Sequence, residues 1–271
     1  MQLKKHIPNL FTLGNLLCGC LSVVAAFRWE LQFATYLILF GAFLDFFDGF
    51  IARLLKVSGE IGKQLDSLAD MVTFGVAPGM IVFQMLRVSQ WGDGLKMDEL
   101  YHPIAFIAFL IPLFSAYRLA KFNIDTRQSD RFIGLPTPAN ALFFSSFPLI
   151  LEWNSAHYIS YERSLSYVLS FPDHPLPFSP PTDQPFSFLL NPVLLTALTV
   201  LFSVLLISEI PLLALKFKQF GWKGNEWRWS LVIMAVALLI IFKFLAIPII
   251  VVLYILISIL NNTIKSHEIQ S

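Results

Sequence analysis

The stretch Leu44-Asp45-Phe46-Phe47-Asp48-Gly49-Phe50-Ile51-Ala52-Arg53, continued by Gly62-Lys63-Gln64-Leu65-Asp66-Ser67-Leu68-Ala69-Asp70, puts four carboxylates at the ends of two apolar runs. An ionised carboxylate near the centre of a bilayer costs about 2.5–3.5 kcal/mol, less towards the interface. Something must hold these four there. Residues three and four apart share a helix face, so Asp45, Asp48, Gly49 and Ala52 line one side of a second helix, and Gly62, Asp66 and Asp70 one side of a third. A short connection around Lys56 to Glu60 makes these an antiparallel pair whose carboxylate faces meet. A single buried Asp is readily satisfied by a hydroxyl or an amide; four converging ones need cations. An all-oxygen donor set selects Mg²⁺ or Mn²⁺, with Ca²⁺ admitted, over zinc, and none of the five His lies beside these residues. Gly49, Ala52 and Gly62 leave room for a bulky ligand, and Arg53 adds a fixed cation suited to phosphate. Carboxylates, metal, space and an Arg together describe a site for a phosphate anhydride.

Outward from this stretch the chain is too apolar for a soluble domain. Of its 271 residues 56% are hydrophobic and 14% charged, with a mean hydropathy of +0.68, whereas soluble domains carry about 25% charged residues. Its place is a lipid bilayer. A net charge of +1 gives no basic stripe for nucleic acid. Cys18 and Cys20, two apart in an apolar run, point to different helix faces and read as free thiols, with no metal or redox site.

Runs of about 20 apolar residues cross a bilayer. Candidates fall at 9–27, 32–55, 65–87, 102–122, 137–151, 188–207, 229–242 and 244–260. The expectation is an all-α, polytopic integral membrane protein of about eight transmembrane helices, with the site at the cytoplasmic ends of helices 2 and 3. The last two runs form one apolar stretch broken at Lys243, with Pro248 beyond it. That stretch is too long for a single span and reads as a tight helical hairpin. With the N-terminus inside, 14 of the 19 Lys and Arg fall on inner segments and only Arg28, Arg87, Lys96, Arg163 and Lys243 on outer ones. Both termini are therefore expected in the cytoplasm. Lys4-Lys5-His6 leads into Pro8 with no small-residue cleavage site, so the first helix is expected to be retained. Residues 1–271 read as a single membrane domain: a catalytic core at 9–151 with its signature at 45–70, an external Pro-rich loop at 152–187, and C-terminal helices at 188–260. The loop and its His174 read as peripheral. No internal repeat supports an inverted-repeat transporter.

The pattern Asp45-x2-Asp48-Gly49-x2-Ala52-Arg53-x8-Gly62-x3-Asp66-x3-Asp70 resembles the signature of the CDP-alcohol phosphotransferases at all eight fixed positions. Within that family the chain is most similar to the membrane-embedded bacterial and archaeal phosphatidylserine synthases. The similarity runs through Pro8-Asn9-Leu10-Phe11-Thr12-Leu13-Gly14-Asn15, the segment from Leu65 to Pro78, Arg118-Leu119-Ala120-Lys121-Phe122-Asn123, Gly134-Leu135-Pro136-Thr137-Pro138-Ala139 and Ser208-Glu209-Ile210-Pro211. The loop at 152–187 lies outside it. The resemblance implies transfer of the phosphatidyl group from CDP-diacylglycerol to L-serine, giving phosphatidylserine and CMP. It implies a pair of divalent metals, Mg²⁺ or Mn²⁺, on Asp45, Asp48, Asp66 and part of Asp70, and it makes Asp70 the base for the attacking hydroxyl. Gly49, Ala52, Arg53 and Gly62 would face the nucleotide half of the substrate, Thr12 and Asn15 would help position the cytidine, and Arg118 would take the serine carboxylate. CDP-diacylglycerol, serine and membrane lipids are the expected partners, in the cell (inner) membrane, and the sequence allows a homodimer without indicating one.

Two other readings compete. The same chemistry serves glycerol 3-phosphate, inositol phosphate or choline as acceptor, and a phosphate-bearing acceptor calls for a further cation cluster, for which Arg118 and Lys121 stand one turn apart. A cation channel or carrier would also place acids in a membrane, yet Leu37 to Leu44 and Met71 to Phe83 are almost wholly apolar and give an ion no exit. Gly75-x3-Gly79 reads as a close-packing spacing. Arg28-Trp29 and the Trp222, Trp227 and Trp229 group read as interfacial anchors.

Overall fold

The computed structural model describes residues 3–57, 59–89, 103–125, 131–154, 186–213, 221 and 225–270. Lys96, Arg127, Arg163, His174, Lys216, Lys218, Trp222, Lys223 and most of the 152–187 loop lie outside the described residues. The chain is a helical bundle: α1 Leu3–Phe27, α2 Leu31–Leu54, and α3 Glu60–Asp70, which runs through a wide π turn (Met71–Val76) into α4 Ala77–Val88. A 3-10 segment, Pro103–Phe109, leads into α5 Leu110–Ile124, and α6 spans Thr137–Asn154. After a 3-10 turn at Ser187–Leu190 come α7 Pro192–Ile207, α8 Glu226–Phe242 and α9 Ala246–Gln270. The all-α expectation needs one addition, a pair of three-residue antiparallel strands, β1 Arg131–Ile133 and β2 Pro211–Leu213.

Among the described residues, four stretches are long and apolar enough to cross a membrane: His6–Phe27, Glu60–Val88, Pro103–Ile124 and Glu226–Thr263, with Pro192–Ile207 apolar but shorter. As one rod the 38 residues of the fourth would measure about 57 Å, far beyond a hydrocarbon core of about 30 Å. The chain instead turns at Lys243 (φ 51°), and α8 and α9 pack on each other, as the hairpin reading expects.

Several helix ends differ from the sequence reading, α9 for example running to Gln270 and not to 260, and two differences lie close to the aspartates. α1 begins at Leu3 and not at residue 9, with Pro8 inside it; a proline this close to a helix start removes few of the bonds a helix needs. The third run is not one regular helix. Pro78 has no N–H to donate, and just ahead of it the Ala77 N–H reaches five residues back, to the Val72 carbonyl, widening the turn.

Small residues set the helix spacing around that turn. A Cβ on Gly79 would stand 2.8 Å from Pro112 Cδ, and one on Gly75 3.2 Å from Ser115 Cβ, so the Gly75-x3-Gly79 face is where α5 docks. The two bundle ends also carry different contacts. At one, the Arg87 guanidinium lies 5.6 Å from the Trp29 ring and the Lys243 ammonium 4.0 Å from that of Trp153. At the other, Lys63 Nζ donates to the Asn123 carbonyl (2.9 Å), and Lys121 pairs with Glu209. Gly134 joins β1 to α6 at φ 75°, where a Cβ would strike the Leu206 carbonyl at 2.5 Å, so only glycine fits. Cys18 is buried, Cys20 exposed, and both are free.

Candidate active site

The four aspartates converge where α2 ends and α3 begins. Lys56, in the left-handed region (φ 51°), terminates α2 while the Val57 N–H donates back to the Ala52 carbonyl (3.0 Å), and the chain reverses into α3. The antiparallel pair expected from sequence is not a packed pair. α2 and α3 hardly touch, and α1 packs against both. Carboxylates carried by α2 and α3 thus meet across a cleft whose floor is α1, a cavity of about 1050 Å³ lined by residues of all three helices.

Ligand oxygens of Asp45, Asp48 and Asp66 lie within 4.8 Å of one another. Asp45 is also near enough to Asp66 and Asp70 to hydrogen-bond with each carboxyl. Asp48 and Asp66 line the cavity. Among the described residues no Lys or Arg forms an ion pair with any of the four. Oxygens around a single Mg²⁺ at about 2.1 Å stand up to about 4.2 Å apart, so small side-chain adjustments bring this trio onto one ion. The donor set fits a hard divalent cation.

α1 braces the carboxylates from below. Thr12 Oγ1 donates to Asp48 Oδ2 at 2.7 Å, shorter than its 3.2 Å approach to the Pro8 carbonyl, and Asn15 Nδ2 donates to Asp70 Oδ1 at 3.3 Å. Asn15 is itself held, its backbone carbonyl accepting from Thr73 Oγ1 at 2.9 Å in the π turn. Thr12 and Asn15 were expected beside the cytidine; their contacts are with the carboxylates, although Thr12 also reaches the cavity wall. Gly49, Ala52, Arg53 and Gly62 all line the cavity. The two glycines differ: a Cβ on Gly49 would meet nothing within 4 Å, whereas one on Gly62 would come 3.3 Å from Asn9 Oδ1. Gly49 therefore faces open space, and Gly62 lets α3 approach α1. Arg53 is exposed, with Nε donating to the Gly49 carbonyl at 2.9 Å.

Arg118 is only 7% exposed, so its side chain is turned into the bundle. Its Nη1 donates to Thr137 Oγ1 (3.1 Å), its guanidinium lies 5.8 Å from the Phe122 ring, and it is in electrostatic reach of Asp70. Lys121 does not join it, being drawn to Glu209 at the surface. Sequence reasoning missed Ser115 and Asn140, both fully buried with unpartnered polar atoms. An Asn inside the apolar helix 137–154 was the available signal.

The pieces of sequence quoted above as family-like come together here. Gly134 N–H donates to the Ile210 carbonyl (2.9 Å), joining the segment before α6 to the turn after α7. In comparisons with known proteins, the chain is 36% identical over 133 residues to the CDP-diacylglycerol–serine O-phosphatidyltransferase of Bacillus subtilis, 49% of this chain and 70% of that protein. It is 36% identical over 137 residues to the enzyme of the same name from Helicobacter pylori strain J99, 50% of this chain and 54% of that one. To the archaetidylserine synthase of Methanothermobacter thermautotrophicus it is 34% identical over 146 residues, 53% and 58% of the two chains. Apart from the first, the chain thus spans a little over half the length of these relatives. The CDP-alcohol phosphatidyltransferase family matches residues 5–170, more than half of the chain and all of the acidic cleft, and the chain belongs to that family.

Proposed function

We propose that this chain transfers the phosphatidyl group of CDP-diacylglycerol to L-serine, releasing CMP, and that it does so as an eight-span protein of the cell (inner) membrane with its acidic cleft and both termini on the cytoplasmic side. The observation that supports the reading is the open cleft lined by Asp48 and Asp66, which cluster with Asp45, while Asn15 donates to Asp70.

Divalent cations, Mg²⁺ or Mn²⁺ and two in number, would be held by Asp45, Asp48, Asp66 and Asp70 and would supply charge neutralisation to the attacking and leaving oxygens of an in-line displacement. The residues of the chain do the rest. Gly49 and Ala52 leave the volume for the nucleotide, with Arg53 at the rim beside its phosphates. Asp70 accepts the proton of the serine hydroxyl as that oxygen bonds to the phosphatidyl phosphorus. The bond from phosphorus to the bridging pyrophosphate oxygen breaks, and CMP departs with the electron pair. Thr12 and Asn15 hold Asp48 and Asp70 in place, so little reorganisation is required at the moment of reaction. Arg118 takes the serine carboxylate.

Serine is favoured over phosphorylated acceptors by the relatives' names and by one local feature. Lys121, the second cation a phosphate would call on, is committed to Glu209. The test is CMP release from CDP-diacylglycerol by the purified protein in detergent with Mg²⁺ or Mn²⁺, offered serine, glycerol 3-phosphate, inositol phosphate or choline. Serine alone is expected to support turnover, and preference for another acceptor overturns the assignment. Labelled CMP is expected not to exchange into CDP-diacylglycerol without serine; rapid exchange would mean a covalent phosphatidyl-enzyme.

A further inference from the structure

Among the described residues, the buried polar atoms without a hydrogen-bond partner include Ser115 Oγ, Arg118 Nε and both amide atoms of Asn140. Ser115 and Asn140 are fully buried. These atoms lie on neighbouring helix turns. Ser115 and Arg118 are three apart on α5, and Asn140 is three beyond Thr137, the residue that accepts from Arg118, so each pair shares a helix face. Ser115 looks onto the π turn, its Cβ 3.2 Å from where a side chain on Gly75 would begin. Arg118 lies within electrostatic reach of Asp70.

Buried polar atoms without partners are costly, and several in one place ask for a polar guest. The chemistry of this set is specific. One guanidinium N–H suits a carboxylate, while an amide carbonyl and a hydroxyl suit an ammonium. A phosphate dianion would want more than one cation. Ser115, Arg118 and Asn140 match an α-amino acid zwitterion.

Building on the serine reading above, we propose that these three residues form the acceptor pocket and that Asn140 reads the substrate's ammonium group. Asn140 is then a specificity residue, needed for serine and indifferent to CDP-diacylglycerol.

Asn140→Leu tests this, because leucine keeps the volume and removes the polar atoms. A buried amide that serves only structure and lacks partners is replaced by leucine at no cost in stability and with no effect on kinetics. A binding amide gives a different pair of results: a thermal midpoint in detergent equal to or above wild type, and a KM for serine raised about tenfold or more, the loss expected for a hydrogen bond to a charged group. The KM for CDP-diacylglycerol should stay within about twofold. Ser115→Ala should raise the serine KM severalfold in the same selective way. If Asn140→Leu does not yield folded protein, Asn140→Ala is judged by the same two constants. Where wild type uses serine and the Asn140 variant keeps its serine KM, the pocket assignment is overturned alone. Where wild type releases CMP only with another acceptor, the serine reading falls and takes the pocket with it.

Discussion

Asp45, Asp48, Asp66 and Asp70 come from one stretch of 26 residues, whereas Ser115, Arg118 and Asn140 come from two helices, α5 and α6, brought together by packing. The first group carries like charges that repel. It is held by covalent proximity through the short turn at Lys56 and by α1 beneath it, with Thr12 and Asn15 as braces. The second group has one charge and is positioned by close helix contact, Pro112 against Gly79 and Ser115 against Gly75. On the reading proposed here, the cation site rests on a local signature, whereas the pocket for a small polar acceptor is assembled from neighbouring helix faces.

That contrast can be broken at several points. The largest effect belongs to the cluster: Asp48→Asn or Asp66→Asn should reduce turnover by more than about 10²-fold, the scale of losing an electrostatic group at a transition state, and EDTA should silence the intact protein. Full activity in chelator would remove the metal from the account. Next come the braces. Asn15→Ala should lower activity or metal affinity by about 10- to 100-fold, as for groups that orient metal ligands, with partial recovery at raised Mg²⁺ or Mn²⁺; a variant that raised metal leaves unchanged would make Asn15 a substrate contact instead.

The two substrates should then separate by region. Ala52→Leu fills the cleft, and an obstruction of about 1–3 kcal/mol should raise the KM for CDP-diacylglycerol by about 10- to 100-fold while the helix stays folded. Arg118→Ala should do the reverse, raising the serine KM and sparing that for CDP-diacylglycerol. Equal effects on both constants in either variant would merge the two regions into one. The smallest effect is assigned to Lys121→Ala. An exposed ion pair contributes about 1 kcal/mol or less, and a residue engaged with Glu209 should leave the serine KM unchanged; a large rise would return Lys121 to the acceptor site.

The helices were legible because apolar runs and their length decide them, as at Pro192–Ile207 and at the Lys243 break. The carboxylate faces were legible because the spacing of three and four residues fixes which side chains share a side of a helix. Less could be read where a contact spans distant parts of the chain. The early start of α1 at Leu3, the π turn ahead of Pro78 and the small β1–β2 pair were not visible in periodicity. Thr12 and Asn15 were picked out as polar residues near the site, but whether they faced nucleotide or carboxylate depends on how α1 sits between α2 and α3.

By itself, then, the sequence determined a membrane-bound helical chain, the four aspartates and the small residues that share their faces. These properties follow from hydropathy and from the repeat of a single helix. Tertiary structure alone decided that α2 and α3 stand apart over α1, leaving Gly49 facing open space and Gly62 against Asn9. It alone decided that Arg118 points inward to Thr137 while Lys121, one turn on, is drawn outward to Glu209. The physical reason is that rotation of one helix about its axis relative to another is set by the fit of their surfaces, and no local pattern along either helix contains that angle.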